Sequence, residues 1–231
     1  MSIFKPDKIK KMKKIGLTCG VLLCAVSIFC QDIGSSVVIG QSSMQIKQKA
    51  EEDKATEGTP YLNDVVFDAV IKGYDNPIKL KYNAYLDEME FEIDGTRYHL
   101  KKEVYPEVQI LNKKYVYTTY KDGKETVDGF LVVLREAENL SFYKKEKIIL
   151  IPAKKATTSY DTSSPAKYKL QDPIYYIGLN GDIVELPKNE KKFAQLFRDN
   201  EKQVLGYIQS NKISLKTEQD LIKLFNYLSS L

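Results

Sequence analysis

Between residues 60 and 187 apolar and polar positions alternate with a period of two, and after Pro187 the apolar residues recur every three or four. The stretch with the most local information is Lys79–Lys101, KLKYNAYLDEMEFEIDGTRYHLK. Asp94-Gly95 is the strongest short hairpin signal in it, because a type I′ turn needs positive φ at both central residues. That turn sets Ile93 opposite Thr96, Glu92 opposite Arg97, Phe91 opposite Tyr98, Glu90 opposite His99, Met89 opposite Leu100 and Glu88 opposite Lys101. One face then carries Met89, Phe91, Ile93, Tyr98 and Leu100, and the other sets Glu88, Glu90 and Glu92 against Arg97, His99 and Lys101.

Other strands are predicted over Val65–Tyr74, ended by Asp75-Asn76-Pro77, and over Lys79–Tyr85, Val108–Leu111, Tyr115–Tyr120 and Val127–Leu134. Ser141–Ile151 ends in the apolar run Ile148–Ile151, a polar loop spans Ala153–Ala166, and Ile174–Leu179 pairs with Asp182–Leu186 around Asn180-Gly181. Asn112-Lys113 and Asp122-Gly123 read as turns. With no helix-length segment between strands, the pattern favours an antiparallel meander. Apolar stripes predict helices over Asn189–Arg198, Glu201–Gln209 and Glu218–Leu228, with Asn200/Gln203 and Thr217/Asp220 as capping pairs. The fold class is mainly β (α+β): an antiparallel sheet, sandwich or partly closed barrel, with about three short C-terminal α-helices.

The ends change the composition argument. Lys10, Lys11, Lys13 and Lys14 precede the uncharged run Ile15–Phe29, which is too short for a stable bilayer span of roughly 20 residues and has the form of a secretory signal. Translation from Met1 or from Met12 fits this equally. Residues 1–30 are read as that signal, 31–59 as a flexible linker, 60–187 as the β domain and 188–231 as a helical segment packed on or beside it. Within the linker, the apolar cluster Val37–Ile39 offers a strand for pairing with a partner's sheet. Six of the 35 basic residues and one of the 31 acidic ones lie in the first 30, so the formal +4 of the whole chain becomes about −1 in the mature one. The basic hint at nucleic acid therefore belongs to the signal. Cys19, Cys24 and Cys30 lie there too, leaving no thiol chemistry in the mature chain. Cleavage after Cys30 gives a soluble product; acylation at Cys30 is the alternative, disfavoured by the bulky Phe29.

The sequence assigns no catalytic, cofactor-binding or metal-binding residue. His99 is the single histidine, and with a facing glutamate it reads as part of a charge ladder. GxSxG, HExxH, P-loop and dinucleotide glycine patterns do not occur. The acidic row Glu88, Glu90, Glu92 and Asp94 could hold a hard cation, but Arg97 and Lys101 face it. The 16 tyrosines are the compositional peculiarity. Those in predicted strands, Tyr82, Tyr85, Tyr115, Tyr117, Tyr120, Tyr175 and Tyr176, are the candidate interaction surface, since Tyr offers contact area at low entropic cost; strands are also rich in Tyr for packing reasons alone.

TPYLND at Thr59–Asp64, LKYNAYLDEMEF at Leu80–Phe91, and LNGDIVELPKNEKKFAQLF before the C-terminal helices together resemble a family of small uncharacterised exported proteins of Bacteroidetes-type bacteria. The resemblance covers 59–231 and implies a periplasmic or outer-membrane-associated envelope protein without supplying an activity. The functional expectation is a non-enzymatic protein-binding or structural module whose partner is another envelope protein. A carrier of a lipid or other apolar ligand, lidded by the helices, is the alternative, and a hydrolase the third reading.

Overall fold

The computed structural model describes the backbone of residues 35–39 and 42–48, and residues 56–156 and 161–231. The segment read as a signal and residues 157–160 of the polar loop lie outside the described residues. The protein is mainly β, as the alternation predicts, with a closed five-stranded barrel, further strands and three helices near the C-terminus.

The strands before the barrel are β1 (Ser35–Ile39), β2 (Ser42–Gln48), β3 (Phe67–Ile71), β4 (Tyr74–Asn83), β5 (Glu88–Ile93), β6 (Thr96–Leu100) and β7 (Glu107–Ile110). They run in spatial order β1-β2-β6-β5-β4-β3-β7 and continue into β8 (Lys113–Asp122). The β5–β6 hairpin has the predicted register, Glu90 opposite His99 through Ile93 opposite Thr96. Its turn has φ 50° at Asp94 and 77° at Gly95, the left-handed values that select these two residue types. Two of the strands, β1 and β2, fall within the expected linker and pair with each other, and β2 adds to β6. The β-branched Val37, Val38 and Ile39 of β1 therefore join this chain's own sheet.

Pro77 does not end a strand. It sits inside β4, where the register against β3 shifts between the pairs Ala69–Ile78 and Ile71–Tyr74. This irregularity tolerates a residue with no N–H to donate.

The barrel consists of β8, β9 (Glu125–Glu136), β10 (Leu140–Lys145), β13 (Ile174–Leu179) and β14 (Asp182–Glu185). Four consecutive antiparallel pairings leave the first and fifth strands running the same way, so closure has to be parallel; it occurs with Val184 opposite Lys121. Alternation along β9 distributes its side chains. Leu131 packs inward with Tyr120, Tyr143 and Tyr176. Phe130 and Val132 face outward against the first sheet, and Leu134 reaches the helical cluster. The run Ser141–Ile151 divides into β10 and β11 (Ile148–Ile151), and β11 pairs with β12 (Lys167–Leu170), a strand hidden in a lysine-rich stretch.

The helices are α1 (Glu190–Ala194), α2 (Glu201–Ser210) and α3 (Glu218–Leu228). They cover β10 and β13 through Phe142, which meets Phe193 edge-on at 6.3 Å and Phe225 at 5.7 Å. The caps differ from the expected ones. Asn189 accepts from the Lys192 amide of α1, neither Asn200 nor Thr217 makes a side-chain cap bond, and Thr217 Oγ1 instead donates to Asp220.

One ion pair joins the sheet to the barrel. β10 flanks β9 only from Val132 to Glu136, so the backbone of Phe130 faces no strand on that side. Its N–H donates to Asp87 Oδ2 at 3.0 Å and its carbonyl accepts from Lys145 Nζ at 2.9 Å. Asp87 and Lys145 meet at 2.7 Å, and Tyr82 donates to the same carboxylate at 2.6 Å. The pair thus stands in for the missing strand rung. Gly129 is required beside it, since a Cβ there would lie 2.6 Å from Asp87 Oδ2.

Asp87→Ala leaves Lys145, 8% exposed, without its carboxylate, and is expected to cost about 3–5 kcal/mol in urea unfolding. Asp87→Ala combined with Lys145→Met should cost less than Asp87→Ala alone. A loss under about 1 kcal/mol for Asp87→Ala would contradict this role.

Candidate functional site

The structure does not bring the seven candidate tyrosines onto one surface. Tyr120 and Tyr176 are buried in the barrel, ring centroids 4.8 Å apart. Tyr82 and Tyr115 are buried beneath the first sheet, centroids 5.0 Å apart. Burial corrects the expectation of a surface for these four: their rings are large enough to fill the space between elements, and each hydroxyl finds a carboxylate or lies near one. Tyr117 is half-buried, packed at 5.5 Å on Phe130 with Lys102 over its ring. Tyr175 is half-buried against the helical cluster. Tyr85 is exposed, its ring edge-on to Tyr168 at 5.3 Å.

Three of them line two clefts. Tyr82 and Tyr115 form the floor of a cleft of about 160 Å³ bounded by Leu62, Val65, Phe67 and Leu111. Strand pairing assembles it: Phe67 lies opposite Leu80, next to Lys81 and Tyr82; Ala69 lies opposite Ile110, and Ile110 opposite Lys113. The TPYLND segment supplies the near wall. Thr59 Oγ1 donates to Asp64 at 2.8 Å and Asn63 Oδ1 accepts from the Val65 amide at 3.0 Å, holding Val65 outward. Tyr175 lines the second cleft, about 440 Å³, with Ile174, Leu186 and Leu215 as apolar walls and Asp172, Glu185, Lys188 and Lys216 around them.

The polar groups around these clefts form two bound networks. Glu146 accepts from Lys113 at 2.7 Å, contacts Lys144 at 3.2 Å, and has the Tyr115 hydroxyl at 3.4 Å; Lys144 passes on to Glu218 of α3 at 2.8 Å. Glu90 is not on a solvated ladder: it is 1% exposed and accepts from the Tyr61 hydroxyl and from Asn83 Nδ2, each at 2.6 Å. The charged face of the hairpin is covered at this rung by Tyr61, which alternation within the hairpin cannot reveal. His99 Nδ1 lies 3.2 Å from Glu88 Oε2, yet out of line for a hydrogen bond. Among the described residues no group of three or more His, Cys, Asp or Glu is arranged to hold a metal ion, and no helix is long and apolar enough to cross a membrane.

Burial, followed by the neighbouring carboxylates, raises the hydroxyls of Tyr82, Tyr115, Tyr120 and Tyr176. Burial lowers Lys145, an effect that Asp87 partly offsets.

In comparisons with known proteins, the chain matches no family model, no curated protein and no solved structure.

The raised hydroxyls give a signed pH dependence. The unfolded chain ionises these four tyrosines near pH 10 while the folded chain keeps their protons, so the stability they contribute is present below about pH 10 and lost as pH rises beyond it. Alkaline titration followed by tyrosinate absorbance reads this directly. Tyr82, Tyr115, Tyr120 and Tyr176 should ionise in a single step coincident with loss of β-sheet circular dichroism. Ionisation of these four in an intact fold would contradict their burial.

Proposed function

We propose that this chain is an exported cell-envelope protein acting as a non-enzymatic binding module, with another envelope protein as its partner. The observation that carries the reading is the filled barrel. Tyr120, Leu131, Tyr143 and Tyr176 occupy its interior, so recognition falls to the outer surface, where both clefts are open. At the smaller cleft, Lys113 is held with Lys144 by Glu146, and the Tyr82 floor is held by the Asp87–Lys145 pair, so these ionisable groups serve the fold. The export part of the reading rests on the basic and apolar pattern of residues 1–30, and the resemblance of 59–231 to small exported proteins of Bacteroidetes-type bacteria supports the same compartment.

The carrier alternative has one specific observation in its favour. The second cleft, at about 440 Å³, exceeds the roughly 300 Å³ at which small-molecule sites begin, and Tyr175, Leu186 and Leu215 give it apolar walls. It lies where the helical segment meets the barrel, as a lidded site would.

Affinity isolation of the full-length protein from intact envelopes, with protein and lipid analysed in the same eluate, separates the two. A stoichiometric protein partner, and a captured chain beginning after residue 30, are the expected results. Recovery of lipid without protein would overturn the protein-binding reading and favour the carrier.

A further inference from the structure

We propose that the outward face of the β11–β12 hairpin docks onto an anionic lipid surface, its lysines meeting the headgroup phosphates and its isoleucines the boundary with the acyl chains. These two strands form a sheet of their own, separate from the larger one. Ile149 lies opposite Lys169 and Ile151 opposite Lys167. Directly opposite residues share a face, and Lys147 joins them two residues before Ile149. The other face carries Ile148, buried in the core of the first sheet, and Tyr168, packed against that core. The face of lysines and isoleucines therefore points away from the core, and neither Ile149 nor Ile151 enters a hydrophobic cluster of the described residues.

Charge selects what this face meets. Lys147, Lys167 and Lys169 are exposed, as are Lys155 and Lys154, which bridges to Ser164 farther along the hairpin. None of the five has an ion pair among the described residues. Glu57 bridges Lys167 through the backbone and forms no ion pair with it. Residues 147–170 hold five lysines against one acid, Asp161, in a chain whose net charge after residue 30 is about −1. An anionic bilayer offers the opposite charge and, just beneath it, apolar matter. Both lie within reach of one lysine, whose stem runs along the isoleucines while its ammonium reaches the phosphates. A protein surface is the poorer match, because lysine is depleted from protein interfaces and lacks the planar fork with which arginine grips a carboxylate.

The test takes the chain as purified from intact envelopes and mixes it with vesicles of phosphatidylcholine, either alone or with phosphatidylglycerol. Phosphatidylglycerol should increase co-sedimentation, and the increase should fade as salt rises. In the same samples an amine-acetylating reagent is applied and each lysine is read by mass spectrometry. Phosphatidylglycerol should slow acetylation of Lys147, Lys167 and Lys169 about threefold or more, and leave the exposed Lys202 and Lys212 of the helical segment unchanged. Lys167→Gln combined with Lys169→Gln should bind the mixed vesicles about tenfold or more weakly at an unchanged midpoint of thermal unfolding, while Lys167→Arg with Lys169→Arg keeps the binding. No gain from phosphatidylglycerol, uniform slowing at all lysines, or a Gln pair that binds like the parent would overturn the proposal. The acetylation pattern is read on the parent chain, so it decides the matter even where the Gln pair lowers the midpoint. Capture of an acidic envelope protein that the Gln pair loses, with no vesicle binding, would assign the face to protein and overturn lipid docking. Lipid docking here is independent of the protein-binding reading, so either can fail while the other stands.

Discussion

The arrangement depends on how Phe130 is satisfied. A barrel built from unequal strands leaves part of β9 without a neighbour, and an unpaired buried N–H and carbonyl would cost about as much as the barrel gains from a rung. Asp87 and Lys145 fill both groups and neutralise each other, 58 residues apart in sequence. Desolvating two charges is costly, and replacement by a well-packed apolar pair can be neutral or better. What an apolar pair could not supply is the hydrogen bonding. The same carboxylate accepts from Tyr82, which lines the small cleft, so the joint between sheet and barrel also sets the geometry of that cleft.

Local chemistry was legible in the sequence and distant chemistry was not. Asp94-Gly95 and Asn180-Gly181 announce their hairpins because a left-handed turn restricts residue choice, and the structure shows positive φ at all four. The helices were legible from the stripes of Phe193, Val204, Ile208, Leu221, Leu224 and Phe225, all buried. Barrel closure was not: Val184 meets Lys121 across an interval that no pattern marks. Lys145 belongs to the polar run Lys144–Lys147, which reads as solvent-facing, and Glu90 alternates with Met89 and Phe91 as a surface position should. Both are buried because a partner from elsewhere supplies a hydrogen bond, and period-two patterning carries no information about such partners.

The same limit explains the tyrosines. β-propensity and interface propensity favour one residue type, so sequence cannot say whether a strand tyrosine is exposed. Of the seven, four are in the core, and their phenolic oxygens mediate between apolar packing and carboxylates such as Asp87 and Asp122. The part of the candidate site that sequence reading missed was Leu111, which looked like the last residue of a strand. The turn falls one residue earlier than the expected Asn112-Lys113, with Ile110 opposite Lys113, and that shift alone places a leucine where asparagine belongs. A leucine beside an asparagine between two strands is a weak signal, but it was present.

Two non-glycine residues with positive φ show how strain is distributed. Asp87 has φ 59°; aspartate tolerates this conformation better than most residues, and the carboxylate it delivers binds Tyr82, Phe130 and Lys145, so the cost is offset inside the chain. Leu111 has nearly the same φ, belongs to a residue type that tolerates it poorly, and presents most of its side chain to solvent. A penalty of about 1–2 kcal/mol is a substantial share of the stability of a domain this size, and within the described residues the exposed Leu111 side chain offsets little of it. The first strain is offset by the architecture and the second is not, and both lie beside Tyr82, a buried residue whose hydroxyl donates to Asp87 and whose ring lines the cleft that Leu111 borders.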